Sequence, residues 1–290
     1  MKKNFVTKSI LKKIYKPRPR NSQKYDFGLL LVIGGSDFYS GSPALSAMAA
    51  FRSGVDMVRI IAPKRAANIA SSFSPNLAAY PLDGKWLTKK DLATLISMTK
   101  SAKIASRGNL AVVIGGGIGR TEETQNVILE YLSETDVPTV IDADAIHAIA
   151  KKPELISGRN FLITPHNYEF FVLTGKEAHN LSDEQRIKIA KTEAQRLKTN
   201  ILLKGGLDII TNGKDVFLDK AGIAYMTVGG CGDTLAGICG SLMAQGVNAI
   251  EAAQAGAYIN GKAGELAAKK LNQGMTATDL IEAIPDVIKA

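Results

Sequence analysis

Val228-Gly-Gly-Cys-Gly-Asp-Thr-Leu-Ala-Gly-Ile-Cys-Gly-Ser-Leu-Met-Ala-Gln245 sets three glycines, one thiol and one carboxylate ahead of an apolar run. Leu235, Ile238, Cys239, Leu242 and Met243 recur at helical spacing, so the stretch reads as a glycine-rich turn feeding a buried helix. Such a turn presents unpaired N–H groups at the positive end of the helix dipole, which suits a phosphate. A carboxylate there would repel phosphate, so anion binding alone does not ask for Asp233. Helix capping does, and so does base chemistry on a hydroxyl beside a held phosphate. The pattern by itself leaves both open. Cys231 and Cys239 stand eight apart on the expected helix, too far along its axis to bridge, which fits a reducing cytoplasm.

Upstream, apolar runs alternate with helical patterns. Leu29 to Ile33, Met57 to Ile61, Ala111 to Ile114, Thr139 to Ile141, Phe161 to Ile163 and Ile201 to Leu203 read as buried strands. Helices are expected from Ser42, with Ser42 as cap and Pro43 at the first helical position, from Pro63, and over Thr88 to Lys103. Others are expected over Thr121 to Leu132, Asp183 to Lys198, Cys231 to Gln245, Ala249 to Lys270 and from Ala277, the last with a Thr276/Asp279 capping box. Short β-type segments are expected around Ile209, Val216 to Leu218 and Ile223 to Tyr225. This alternation makes the chain α/β with a mainly parallel central sheet flanked by helices.

The chain has 290 residues, 46% of them hydrophobic, enough for a large core, and no apolar run long enough to span a membrane. Nine basic residues precede the first acid, Asp26, and account for the net charge of +9, so the rest is formally neutral. Residues 1–15 therefore read as a basic arm, solvated or loosely docked, and residues 16–290 as one domain. Without interleaved aromatics or a reader motif, nucleic-acid binding is not expected of the arm.

Polar or glycine-rich clusters follow the strands: Gly34-Gly35-Ser36, Gly115 to Gly119, Asp142-Ala-Asp144, Thr164-Pro-His166 and Lys204-Gly-Gly206. Open α/β sheets bind ligands in the crevice outside those strand ends, and five clusters suffice for two ligands. There is no Gly-x-x-x-x-Gly-Lys-Ser/Thr loop, and Arg120 stands where a dinucleotide fingerprint needs glycine or alanine. Three histidines without ligand spacing do not make a zinc site. His166 by itself reads as a helix cap or packed polar group. Lys204, ending a buried strand, must reach an anion, either an acidic side chain or a phosphate.

Taken together the clusters resemble those of the ADP/ATP-dependent NAD(P)H-hydrate dehydratases. Gly34-Gly-Ser-Asp-Phe-Tyr-Ser-Gly-Ser-Pro-Ala44 is similar to their Gly-Gly-Ser-x-x-Tyr-Thr-Gly-Ala-Pro-Ala. Pro138-Thr-Val-Ile-Asp-Ala-Asp-Ala145 resembles Pro-x-Val-x-Asp-Ala-Asp-Ala, Thr164-Pro-His-Asn-Tyr-Glu169 resembles Thr-Pro-His-x-x-Glu, and Leu203-Lys-Gly-Gly206 resembles Leu-Lys-Gly. Gly229-Gly-Cys-Gly-Asp-Thr-Leu-Ala-Gly237 is similar to Gly-Gly-Thr-Gly-Asp-x-Leu-Ala/Ser-Gly, and the Gly274 to Leu280 tail is similar too.

The resemblance implies a ribokinase-like fold. It also implies a lyase that returns the S-form hydrate of NADH or NADPH to NADH or NADPH at the expense of ADP or ATP. Phosphorylation of the ring hydroxyl would precede loss of phosphate. Asp233 would be the base, and the N–H groups of Gly230 to Gly232 would stabilise the transferred phosphate. Ala44, Gly119, His166 and Asp233 would contact the hydrate. Lys204, Gly205, Gly206, Leu207 and Asp208, with Gly232, would hold the adenine nucleotide. Mg2+ would come with the nucleotide, Glu169 acting on it indirectly, and its ligands are unassigned. A stand-alone dehydratase and a homo-oligomer, such as a tetramer, are implied. Cys231 replaces the usual threonine, Asp208 a common threonine, and Asn167-Tyr168 and Gly116-Gly117 replace Pro-Gly pairs. The alternative is a ribokinase-like kinase of a vitamin precursor, but those relatives carry asparagine where His166 stands.

Overall fold

The computed structural model describes residues 4–289. Its elements in chain order begin with Asn4–Phe5 (β1), Ser9–Ile14 (α1), Leu29–Ile33 (β2), Ser42–Arg52 (α2), Met57–Pro63 (β3), Lys64–Ser72 (α3) and Ala78–Leu82 (β4). There follow Leu92–Ala105 (α4), Leu110–Ile114 (β5), Glu122–Glu134 (α5), Thr139–Ile141 (β6), Asp144–Ile149 (α6), Phe161–Ile163 (β7) and Asn167–Thr174 (α7). The chain continues through Asp183–Leu197 (α8), Asn200–Leu203 (β8), Asp208–Thr211 (β9), Val216–Asp219 (β10), Cys231–Ala244 (α9), Ala249–Leu271 (α10) and Ala277–Lys289 (α11).

Among the described residues, ten strands form one sheet in the order β1-β10-β9-β8-β7-β6-β5-β2-β3-β4. Pairing is parallel except where β9 meets β8 and β10. Both faces are covered, which is why β2 and β5 are apolar at every position. Leu30 and Val32 point into the core beneath α2, α9, α10 and α11, while Leu29, Leu31 and Ile33 point into the one beneath α4, α5 and α8. From β2 the chain runs outward through β3 and β4, then returns to β5 on β2's other side. The loops after β2 and β5 therefore diverge at a topological switch point, and Gly35 N–H donates across it to the Gly116 carbonyl at 2.8 Å. Among the described residues no helix is long and apolar enough to cross a membrane.

The fold departs from expectation at several places. Met1 to Lys3, part of the basic arm, lie outside the described residues, but the rest of the arm is not loose. Asn4 and Phe5 pair in parallel with Phe217 and Leu218, Leu11 is buried, and Lys13 pairs with Glu251. The edge strand β4 escapes sequence reading because its Ala-Ala-Tyr-Pro-Leu has a proline, which only an edge tolerates. The expected β-type segment at Ile223 to Tyr225 is a 3-10 turn over Ala224–Thr227. The short helices α6 and α7 were not anticipated. Ser42 does not cap α2; the cap position is Gly41, and the serine hydroxyl is used elsewhere.

Candidate active site

At the head of α9, Gly230 occupies the cap position with φ +99°, a left-handed conformation that glycine adopts without strain. The first helical bond runs from Thr234 N–H to the Gly230 carbonyl at 3.0 Å, so the N–H groups up to Asp233 face outward. Asn260 of α10 donates its amide to the Cys231 carbonyl at 3.2 Å and anchors this turn from below. Asp233 makes no capping bond. Its Oδ1 instead accepts the Ser42 hydroxyl from α2, and its own carbonyl accepts from Ser46 Oγ at 3.0 Å. Gly116 passes so close that a Cβ there would lie 2.6 Å from Asp233 Oδ1. Burial pushes the Asp233 carboxyl up to about 7, with the nearby Asp142 carboxylate adding to the rise and the Ser42 hydroxyl opposing it.

Opposite, Lys204 at the end of β8 sends its Nζ to Asp142 Oδ1 at 2.9 Å and to within 3.7 Å of Glu169 Oε2. Burial alone would push the lysine pKa down; the two carboxylates outweigh it, so the pKa is raised and the ammonium persists. Asp142 also accepts from Thr164 Oγ1 at 2.8 Å. Next to it, Ala143 is held at φ +49°, unusual for a residue with a side chain, which turns the chain sharply between Asp142 and Asp144. His166 caps α7 in a reciprocal box. Its Nδ1 accepts the Glu169 N–H at 3.2 Å, and its own N–H donates to Glu169 Oε2 at 2.9 Å. Burial and the Lys204 charge lower the His166 pKa, so the neutral ring can accept at Nδ1. Beside these, a cleft of about 490 Å³ is bordered by Asn167, Arg186, Gly205, Gly206 and Leu207.

Three comparisons bear on this arrangement. Residues 30–286 match the family model described as NAD(P)H-hydrate dehydratase. The chain is 37% identical to the ADP-dependent (S)-NAD(P)H-hydrate dehydratase of Nitrosopumilus maritimus, over 100% of this chain and 98% of that protein. The chain belongs to the NAD(P)H-hydrate dehydratase family. It is also 37% identical to the Bifunctional NAD(P)H-hydrate repair enzyme Nnr of Hyperthermus butylicus, covering 94% of this chain but only 51% of the relative, so it spans about half the length of that protein. A solved Bacillus subtilis ADP/ATP-dependent NAD(P)H-hydrate dehydratase, co-crystallised with ATP/Mg2+, shares the fold. Its TM-score is 0.82 at 25% identity, covering 100% of this chain and 99% of that one.

Within this family member the fold brings the α9 turn up to Lys204: a Cβ on Gly232 would lie 3.5 Å from Lys204 Nζ. Other expected contacts sit differently. Ala44 is buried in the core beneath α2, at 2% exposure. The Gly119 N–H donates to Asp144 Oδ2 at 3.0 Å, and the Trp86 ring covers its α-carbon. In the Lys204 to Asp208 turn, Gly205 N–H donates to Asp208 Oδ1 at 2.8 Å, and the Leu207 side chain is buried. The Cys231 thiol, pushed up to about 11 by burial and then by Asp233, is no nucleophile. Two residues escaped sequence reading. Ser42 reads from sequence as a cap, its one other signal being a hydroxyl where the motif has alanine. Arg186, which donates to the Leu207 carbonyl at 3.1 Å and the Lys204 carbonyl at 3.3 Å, gave no signal within its polar helix. Among the described residues no three His, Cys, Asp or Glu side chains cluster to hold a metal, and Asp142 and Glu169 already hold Lys204.

Proposed function

We infer that this site removes water from the hydrate of NADH or NADPH at the expense of ADP or ATP. The observation that carries the reading is a half-buried carboxylate, Asp233, poised near neutrality within the outward-facing N–H groups of α9. Asp233 takes the proton of the ring hydroxyl as that oxygen attacks the terminal phosphorus of the nucleotide. The new P–O bond forms as the bond to the departing AMP or ADP breaks. The N–H groups of Gly230 to Gly232 donate to the phosphoryl oxygens, and Lys204 balances charge beside them. The ring nitrogen lone pair then expels phosphate, and loss of a proton from the adjacent ring carbon restores the dihydropyridine. Lys204 to Asp208, with Gly232, are assigned to the nucleotide, using backbone groups at Leu207. His166 and the loop segments at Ala44 and Gly119 are assigned to the hydrate. The description of the Nitrosopumilus relative as ADP-dependent supports ADP as donor. Mg2+ is assigned to the nucleotide phosphates, the enzyme to the cytoplasm as a homo-oligomer, and residues 1–15 to an appendage of a domain spanning 16–290.

The test supplies NADH hydrate with ADP or ATP and follows the return of dihydronicotinamide absorbance together with phosphate release. Recovery with at least one nucleotide is expected. No recovery with either, while a vitamin-precursor alcohol is phosphorylated, would replace this reading with a kinase.

A further inference from the structure

A half-buried base at a helix head works only if its carboxylate is aimed and kept ionised. Two elements distant in sequence meet to do this: the Ser42 hydroxyl, in the first turn of α2, donates to Asp233 Oδ1, in the first turn of α9. Among the described residues no hydrogen bond reaches Asp233 Oδ2. We propose that Ser42 is a positioning residue for this reaction: its hydroxyl fixes Asp233 by Oδ1, leaves Oδ2 to take the substrate proton, and holds the carboxylate in its charged form. The inference rests on reading Asp233 as the base.

The surroundings make such a donor consequential. Asp233 is faced by Asp142 at the end of β6, Asp144 at the start of α6, Lys204 at the end of β8, and the Cys231 thiol on its own helix. Two carboxylates resist its ionisation against one ammonium, which is itself shared between Asp142 and Glu169. A neutral hydroxyl aimed at Oδ1 adds the stabilisation of the charged form that this balance lacks. Ser42 stands where the motif quoted above carries alanine, which has no hydroxyl to offer.

The experiment measures pH profiles of kcat and KM for hydrate dehydration in wild type, S42A and S42T. The acid limb of kcat is expected to move up by about one pH unit in S42A, with KM unchanged. S42T, which keeps the hydroxyl, should return the limb toward the wild-type position. An acid limb that stays in place in S42A overturns the proposal, whether the rate is unchanged or uniformly depressed, as does an S42T limb displaced like that of S42A. In parallel, NMR titration of 13C-carboxyl-labelled aspartates, with D233N identifying the resonance, follows Asp233 without substrate. Its midpoint should be higher in S42A, and an unmoved midpoint overturns the proposal even if no turnover is found. Wild-type protein inactive on the hydrate at every pH refutes the dehydratase reading itself, while a shifted carboxyl midpoint would still support the role of Ser42.

Discussion

Asp233 is a residue whose burial works against the fold and for the chemistry. Its carboxyl sits at about 7 in the folded chain against an ordinary value of 3.8, because water is excluded and Asp142 lies near. The folded state therefore binds this proton more tightly than the unfolded chain. The resulting stabilisation is complete below about pH 4 and is lost as pH rises through 7. Asparagine at this position mimics the neutral acid at every pH. D233N should accordingly melt several degrees above wild type at pH 8.5, with the difference shrinking toward pH 5.5, as scanning calorimetry would read. The same variant should keep nucleotide binding while losing turnover by about a thousandfold. A wild-type protein as stable as D233N at pH 8.5 would mean that Asp233 is not strained by burial. At this scale the sequence named Asp233 but left cap and base open. The Ser42 contact removed the cap, and that contact joins residues on two helices that no local pattern connects.

At the scale of elements, the site depends on how closely α2 and α9 approach. Gly237 allows it: a Cβ there would overlap the Ser46 carbonyl oxygen, and Ser46 in turn donates to the Asp233 carbonyl at 3.0 Å. G237A should therefore push the helices apart, lowering stability by about 3 kcal/mol in denaturant titration. It should also lower kcat more than an equally destabilising change remote from the α2–α9 contact, because Ser42 and Asp233 sit at the top of the same contact. The helix α9 and the central strands were legible because each is a long or continuous apolar pattern. The short α7 was not, since its eight residues carry almost no periodic signal and its boundaries come from the His166/Glu169 box and from Gly175 at φ +70°.

At the scale of the molecule, ten strands leave two edges, and β1 covers the one beside β10. The arm that carries it is fixed by Lys13 on Glu251, and the segment just after it by Arg18 on Asp56 at 2.8 Å and by the Arg18 guanidinium over the Phe27 ring. Two of the seven described basic residues at this end, Lys13 and Arg18, thus meet acids of the body. Removing residues 1–7 would bare the ladder groups of β10. The shortened chain should unfold at lower denaturant, by about 1–3 kcal/mol, and light scattering should show concentration-dependent association beyond that of the full chain. An unchanged midpoint would mean that the strand adds nothing to the sheet.

The sequence by itself determined the α/β class, the order of most strands and helices, the five clusters at strand ends and the family to which they belong. Each is written in local periodicity or in short motifs, so no knowledge of distant neighbours is needed. Only the tertiary structure decided what those clusters do to one another. It set Ser42 against Asp233, and Lys204 between Asp142 and Glu169. It bonded the Gly119 N–H to Asp144, buried Ala44, and paired Asn4–Phe5 of the basic arm onto the sheet edge. These outcomes depend on which elements lie adjacent across the sheet and how near they come, and on the loss of water between them. Burial and long-range contact, not residue type, set the charge state of Asp233.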